Sequence, residues 1–163
     1  MIELTVTDEK WCEFKKDSDI EEYIKFILME VLSGNGYNKI EDISLGVMCI
    51  DDETMIDLNF RFRNEEKPTN VLSLQEIDQS TGYLGDIFLS LETIQKEIAI
   101  YKAIPHEYLA FLLIHGTLHI LGYDHDTDHK ADIMEGLETK MMLRLGFQDP
   151  YTTYFAPYEE EKK

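Results

Sequence analysis

Residues 115–125 read HGTLHILGYDH and place three histidines within one short stretch of the chain. His115 and His119 are four residues apart, so on a helix their imidazoles lie one turn apart on the same face. On an unbroken helix His125 would lie roughly 9 Å further along and rotated off that face. Gly122 reaches the left-handed conformation without a Cβ penalty, which lets the chain reverse and bring His125 back. The spacing therefore predicts that the three imidazoles converge on one metal ion.

The number of histidines indicates the kind of metal site. Three protein ligands leave the fourth position of a tetrahedral zinc ion open, which is the arrangement of catalytic zinc. We therefore predict one Zn²⁺ ion, with zinc chosen by prevalence because histidine ligands also suit nickel, copper and iron. The alternative is a set of unrelated buried histidines, but each uncompensated buried polar group would cost about 1–3 kcal/mol.

The histidine spacing also matches the H-E-x-x-H-x-x-G-x-x-H motif of the metzincin proteases. In those enzymes the general base is the glutamate directly after the first histidine. The corresponding residue here is Gly116, which has no side chain. The sequence thus retains the metal geometry and argues against a peptidase that uses this base.

Hydrophobic periodicity over the rest of the chain predicts one α+β domain. We expect strands over 2–7, 43–50, 70–75 and 84–89, with 43–50 in the interior of the sheet because it is almost continuously apolar. We expect helices from a cap at Ser18 to Gly34, from a cap at Asp51 to Arg63, and over 91–102, 106–121 and 130–145. Residues 1–150 are assigned to the domain and residues 151–163 to an acidic C-terminal tail.

The composition is typical of a cytoplasmic globular protein. Hydrophobic residues make up 44% and charged residues 29% of the 163 residues. No apolar run reaches the roughly 18–20 residues of a membrane span, and the N-terminus shows no signal core. Two cysteines, Cys12 and Cys49, cannot form a disulfide framework. We therefore expect a cytoplasmic location and no membrane partner.

The charge balance, taken alone, argues against a nucleic-acid partner. Fifteen Lys and Arg stand against 33 Asp and Glu, a formal net charge of -18. Neutralisation of phosphates by cations supplies much of the affinity of nucleic-acid-binding proteins. A local groove that combined a divalent cation with a few arginines would remove this objection.

Several ordered motifs resemble those of the YbeY family of bacterial rRNA maturation endoribonucleases. They are LNFRFR at 58–63, KPTNVLS at 67–73, LGDI at 84–87 with Ser90, HGTLHILGYDH at 115–125, and Met134, Glu135 and Glu138. The resemblance covers most of the chain. It departs at residues 73–75, which read Ser-Leu-Gln where the family commonly has Ser-Phe-Pro.

The resemblance implies a fold, an activity and a set of site residues. The fold is a mixed sheet of about four strands with surrounding helices and a zincin-like metal-binding helix. The activity is metal-dependent cleavage of single-stranded RNA, in maturation of the 16S rRNA 3′ end and in ribosome quality control. The implied partners are single-stranded RNA, the small ribosomal subunit and assembly factors. The zinc ligands fall on His115, His119 and His125, and the functional arginine falls on Arg63.

We hypothesise that zinc polarises a water molecule or the scissile phosphate while Arg63 binds the phosphate, since a guanidinium pairs with two phosphate oxygens. Asp124 has two possible roles. It either acts at the metal site, by orienting an imidazole or by taking a proton, or it is a turn residue that is hydrogen-bonded to its own backbone. Two other functions stay open: a metal-dependent hydrolase of another substrate, and a non-catalytic ribosome-assembly factor stabilised by zinc. A fourth protein ligand from Asp124, Asp126 or Asp128 would favour the assembly factor.

Overall fold

The computed structural model describes residues 2–6, 11, 14, 19–37, 39 and 42–156. The elements along the chain are β1 (Ile2–Val6), α1 (Ile20–Gly34), β2 (Ser44–Ile50), α2 (Asp52–Arg63), β3 (Val71–Asp78), β4 (Tyr83–Ser90), α3 (Leu91–Tyr101), α4 (Pro105–Ile120) and α5 (Asp128–Arg144). A π-helical turn, Tyr151–Phe155, follows α5. No helix in the described ranges is long and apolar enough to cross a membrane.

The strands form one mixed sheet in the order β1-β2-β4-β3. β2 pairs in parallel with both β1 and β4, and β3 pairs antiparallel with β4. The interior position predicted for the apolar strand at 43–50 is that of β2, which has a neighbour on each side. The predicted α+β class with a mixed four-stranded sheet is therefore confirmed.

The two faces of the sheet carry different helices. Successive side chains of a strand point to opposite faces, and on β4 Ile87 and Leu89 join the main core whereas Phe88 does not. The main core also contains the buried residues of α1 and α4. Phe88 packs in a smaller cluster with Met55 of α2. The sheet thus separates α2, on one face, from α4, on the other. β3 is an edge strand of this sheet.

Helix α4 is buried along most of its length, as its apolar sequence predicts. It packs against β3, β4, α1 and α5. The helix approaches the sheet closely at Gly116, where an added Cβ would lie 3.0 Å from Cγ2 of Val71 and 3.1 Å from Oγ of Ser73. The position that carries the glutamate base in metzincins is therefore filled here by the sheet, so a longer side chain would require β3 to move.

The structure corrects three predicted boundaries. Helix α1 is capped by Asp19, whose carboxylate accepts a hydrogen bond from the Glu21 N–H at 2.9 Å; the predicted cap, Ser18, lies outside the described residues. Strand β3 extends to Asp78, three residues further than predicted. Tyr154, within the segment assigned to the tail, is 3% exposed and packs in the main core. The acidic end of that segment, residues 157–163, lies outside the described residues.

Candidate metal centre

Helix α4 and the turn after it bring His115, His119 and His125 together. The Nε2 atoms of His115 and His119 are 3.1 Å apart, and one ligand atom from each of the three rings lies within 4.8 Å of the others. Two nitrogens that bind a tetrahedral ion at about 2.0–2.1 Å are themselves about 3.3 Å apart. The three imidazoles can therefore hold one metal ion.

Gly122 ends the helix and reverses the chain, as predicted. Its φ is +98°, a value that side-chain-bearing residues rarely adopt. The N–H of Tyr123 donates to the carbonyl of Leu118, and that of Gly122 to the carbonyl of His119, each at 3.0 Å. These two hydrogen bonds define a Schellman cap. The cap returns the chain towards α4 and so places His125 beside the other two rings.

Replacing Gly122 with Ala is expected to lower the free energy of unfolding by about 1–2 kcal/mol, because alanine is strained at positive φ. Among the residues that the structure describes, only the amide nitrogen of Gln75 lies within 4 Å of the added Cβ, at 3.9 Å, so the cost is conformational. Gly136 provides a matched control, since it lies inside α5 and its added Cβ meets no atom of the described residues within 4 Å. Gly136→Ala should stabilise the protein by up to about 1 kcal/mol. Chemical denaturation measures both free energies of unfolding. Equal changes for Gly122→Ala and Gly136→Ala would contradict the role of Gly122 in the turn.

A buried carboxylate orients the first imidazole. Nδ1 of His115 lies 2.8 Å from Oε2 of Glu138, a residue that is 1% exposed. The other carboxylate oxygen accepts a hydrogen bond from the Tyr151 hydroxyl at 2.7 Å. Burial and the charge of Glu138 raise the pKa of Tyr151, which keeps the hydroxyl a donor. With its proton on Nδ1, His115 presents the lone pair of Nε2 to the metal position.

The second imidazole is oriented by the reversed chain. Nδ1 of His119 lies 3.0 Å from the carbonyl oxygen of Tyr123, directly after the glycine turn. Burial and the nearby rings of His115 and His125 lower the pKa of His119 to about 4. The imidazole is therefore neutral near neutral pH, which is the form that binds metals.

Glu138→Gln is expected to weaken metal binding by about 10- to 100-fold, because residues that orient a ligand contribute about that much to metal affinity. Glutamine keeps the size of the side chain and removes the charge that holds the Nδ1 proton. Competition with a chromogenic chelator would measure the affinity. Asp132→Asn, at an exposed position on the same helix, is the matched control. Unchanged affinity in Glu138→Gln would contradict an orienting role.

The histidine cluster opens onto a groove of about 590 Å³ that is also lined by Arg63, Gln75 and Tyr123. Within the described ranges, no carboxylate joins the three imidazoles in the group of possible ligands. The exposed carboxylate of Asp124 instead accepts the His125 backbone N–H at 2.8 Å, and this hydrogen bond lowers its pKa. Of the two roles weighed for Asp124, the structure shows the turn residue.

Arg63 lies in the last turn of α2 and is exposed. In the part of the chain that the structure describes it forms no ion pair, whereas Arg61 pairs with Asp57 at 3.2 Å. The buried side chain of Asn59 donates to the carbonyl of Lys67 at 2.8 Å and so fixes the chain that follows α2. The arginine is thus held at the groove with its guanidinium available to a ligand.

Sequence reasoning gave no individual role to Glu138, Tyr151 or Asn59. A signal for Glu138 was present, since it shares the buried face of α5 with three methionines, Met134, Met141 and Met142. A buried acid on an apolar helix face needs a hydrogen-bonding partner. No local pattern pointed to Tyr151 or Asn59. The remaining histidines, His106 and His129, do not join the metal cluster.

Comparisons with known proteins place this site in a family. A family model described as endoribonuclease YbeY matches residues 5–146. Endoribonuclease YbeY of Methylocella silvestris is 32% identical over 162 residues, which cover 98% of this chain and 90% of that protein. Endoribonuclease YbeY of Sinorhizobium fredii is 43% identical over 112 residues, 66% of this chain. The matched region spans 65% of the length of the Sinorhizobium protein.

A solved structure supports the fold. The solution structure of a Thermotoga maritima protein matches with a TM-score of 0.55 at 20% identity, covering 89% of this chain and 91% of that one. The family model and the Methylocella relative both extend over the histidine cluster and α2. The chain belongs to the YbeY family.

Proposed function

We propose that this protein is a metal-dependent endoribonuclease that cleaves single-stranded RNA. The observation that carries the proposal is a cluster of three imidazoles, which no carboxylate of the described ranges joins as a possible fourth ligand, opening onto a groove lined by Arg63. An incomplete ligand set leaves room for substrate, whereas structural zinc sites are closed. The relatives named endoribonuclease support the same reaction class.

We propose Zn²⁺ as the ion, held by His115, His119 and His125. The three imidazole nitrogens fit zinc, and the buried Glu138 supplies the orienting partner that zinc-binding histidines usually have. When bound, the ion supplies Lewis acidity towards a phosphate oxygen and lowers the pKa of water. The protein's part is to fix the rings through Glu138 and the Tyr123 carbonyl before substrate arrives.

Arg63 binds the scissile phosphate and stabilises the negative charge that develops on it. A guanidinium presents paired N–H donors that match two phosphate oxygens. Arg63 has no competing carboxylate partner in the described ranges and lines the same groove as His119 and His125. A peptidase of the metzincin type would instead need a base next to the first ligand, where Gly116 lies against the sheet. The groove therefore favours a phosphodiester over a peptide.

The surface beside Arg63 suits a single strand. Phe60 and Phe62 on α2 are 47% and 57% exposed, and exposed aromatic rings stack on unpaired bases without sequence preference. The local combination of a cation and aromatic rings answers the objection raised by the net charge of -18. The metal ion and Arg63 supply the local positive charge for the phosphate, in a groove whose wall also carries Glu65 and Asp124.

The biological role that we propose follows from family membership. The protein acts in maturation of the 16S rRNA 3′ end and in ribosome quality control, with the small ribosomal subunit and its assembly factors as partners. The substrate in this setting is a single-stranded RNA end, which an open groove admits more readily than a duplex.

Cleavage of a 5′-labelled single-stranded RNA by the zinc-loaded chain tests the activity. Internal products are expected with metal, and their loss is expected after chelation and their return after zinc is restored. The same RNA annealed to its complement and a casein substrate should remain intact. Hydrolysis of casein, or intact RNA with fully metal-loaded protein, would overturn the proposal.

A further inference from the structure

A second cavity, of about 240 Å³, also borders the metal cluster but shares no lining residue with the groove of Arg63. His115 forms part of its wall, and the rest comes from α3, α4, the start of β3 and the π-helical turn. We propose that this cavity binds one nucleobase of the RNA next to the scissile phosphate, an inference that rests on the proposed function. Its volume is below the roughly 300–1,000 Å³ of pockets for drug-sized ligands, which suits a single base.

The apolar walls of the cavity are aromatic. Tyr101 and Phe155 meet edge to face with their ring centroids 5.1 Å apart, and the centroids of Phe111 and Phe155 are 5.5 Å apart. Tyr151 completes this side through its contact with Phe155, at 5.5 Å between centroids. Aromatic surfaces of this kind hold planar bases, with about 1–3 kcal/mol per stacked base.

The polar end of the cavity is a carboxylate with one oxygen already occupied. Oε2 of Glu97 accepts hydrogen bonds from the Tyr108 hydroxyl and from Nδ2 of Asn70, the latter at 2.9 Å. The side-chain oxygen of Asn70 accepts the Val71 N–H at 2.7 Å, which fixes the orientation of the amide with Nδ2 towards Glu97. Among the described residues, no donor contacts Oε1 of Glu97. Glu97 lines the cavity, and in this proposal Oε1 is the acceptor for the ligand.

A lone carboxylate oxygen discriminates between bases. Adenine, cytosine and guanine each carry an exocyclic amino group that can donate to Oε1 of Glu97. Uracil has a single N–H donor between two carbonyl oxygens, and both carbonyls would face the negative carboxylate. The cavity therefore selects an amino-bearing base over uracil. A hydrogen bond to a charged acceptor is worth about tenfold or more in affinity.

The position of the cavity relates the base to the reaction. His115 borders the cavity, while His119 and His125 border the groove that holds Arg63. A phosphate at the imidazoles would thus adjoin both the groove of Arg63 and the base cavity. Base recognition at Glu97 would set which bonds of the single strand are presented to the metal.

The test compares hexamers of cytidine and of uridine. Their bases have the same ring size, but cytosine carries an amino group where uracil carries a carbonyl oxygen. Fluorescence anisotropy on the chelated full chain measures binding without cleavage. The wild-type chain is expected to bind the cytidine hexamer about tenfold more tightly than the uridine hexamer. Equal binding of the two would overturn the inference.

Glu97→Gln sharpens this test because glutamine is nearly the same size. Its oxygen can still accept from Tyr108 and Asn70, which turns its amide N–H donors towards the cavity. The preference should therefore reverse in favour of the uridine hexamer, whereas a purely structural role would lower both affinities equally. Glu22→Gln, at an exposed position on α1, should behave as the wild type.

Two further measurements keep the outcomes distinct. Phe155→Leu removes an aromatic wall and should weaken both hexamers by at least about fivefold; unchanged binding would count against the cavity. Zinc is then restored and cleavage is followed. A cytidine preference in binding with no cleavage of either hexamer would sustain the base site and refute the nuclease. Cleavage of both hexamers, together with equal binding of the two, would refute the base site and sustain the nuclease.

Discussion

His119→Ala is expected to remove the metal and the RNA cleavage together, which is the largest loss from a single substitution in this chain. The variant keeps two imidazoles, too few to hold a divalent ion tightly at a three-ligand site. It also leaves the carbonyl of Tyr123 without the Nδ1 hydrogen bond, which loosens the turn that carries His125. Because a catalytic metal supplies several kcal/mol, cleavage should fall by about a thousandfold or more.

Metal analysis of the purified variant, with RNA cleavage followed in the same samples, measures both effects. About one ion per chain is expected for the wild type and almost none for the variant. His129→Ala is the matched control, since His129 is exposed and does not belong to the cluster. Retention of a full equivalent of metal by His119→Ala would show that the ion binds elsewhere.

Arg63→Ala is expected to lower the cleavage rate by about 100- to 1,000-fold while the metal content stays unchanged. The loss corresponds to removing one donor that stabilises charge in the transition state. Arg63→Lys should recover only part of the rate, because an ammonium group cannot pair with two phosphate oxygens in a fixed plane. The arginine lies on α2 and not in the ligand set, so the two properties can be separated.

Single-turnover cleavage and metal content are the two measurements for this series. Arg61→Ala is the matched control: Arg61 lies on the same helix turn, pairs with Asp57 at 3.2 Å and is not among the residues that line the groove. If Arg63→Ala lost both metal and activity, Arg63 would have a structural role at the metal site and not a role in phosphate binding. An unchanged rate would exclude it from phosphate binding.

The histidine cluster could be predicted from the sequence because its geometry is local. Helical spacing places His115 and His119 on one face, and a glycine at 122 signals the reversal seen at φ +98°. The burial of α4 could likewise be predicted from its apolar composition. These features depend on neighbours within a few residues, where backbone geometry limits the possible arrangements.

Features that depend on distant partners could not be predicted. The strand order β1-β2-β4-β3 leaves no trace in local periodicity. The contact between Glu138 and His115 joins residues 23 positions apart. The acceptor at Glu97 depends on Asn70, which is 27 positions away and directly precedes β3. Tertiary packing decides such contacts, and a single sequence records only that a polar residue occupies a buried position.

The three imidazoles come from one short run of residues that needs only a helix end and a turn to converge. Such a loop closes at little entropic cost and on a fast timescale, ahead of the long-range pairing of β1, β2 and β4. An ion bound at this stage would favour the last turns of α4 while the sheet is still forming. Glu138 and Tyr151 lie outside this run, so the alignment of His115 is complete only once α5 and the π-helical turn have docked.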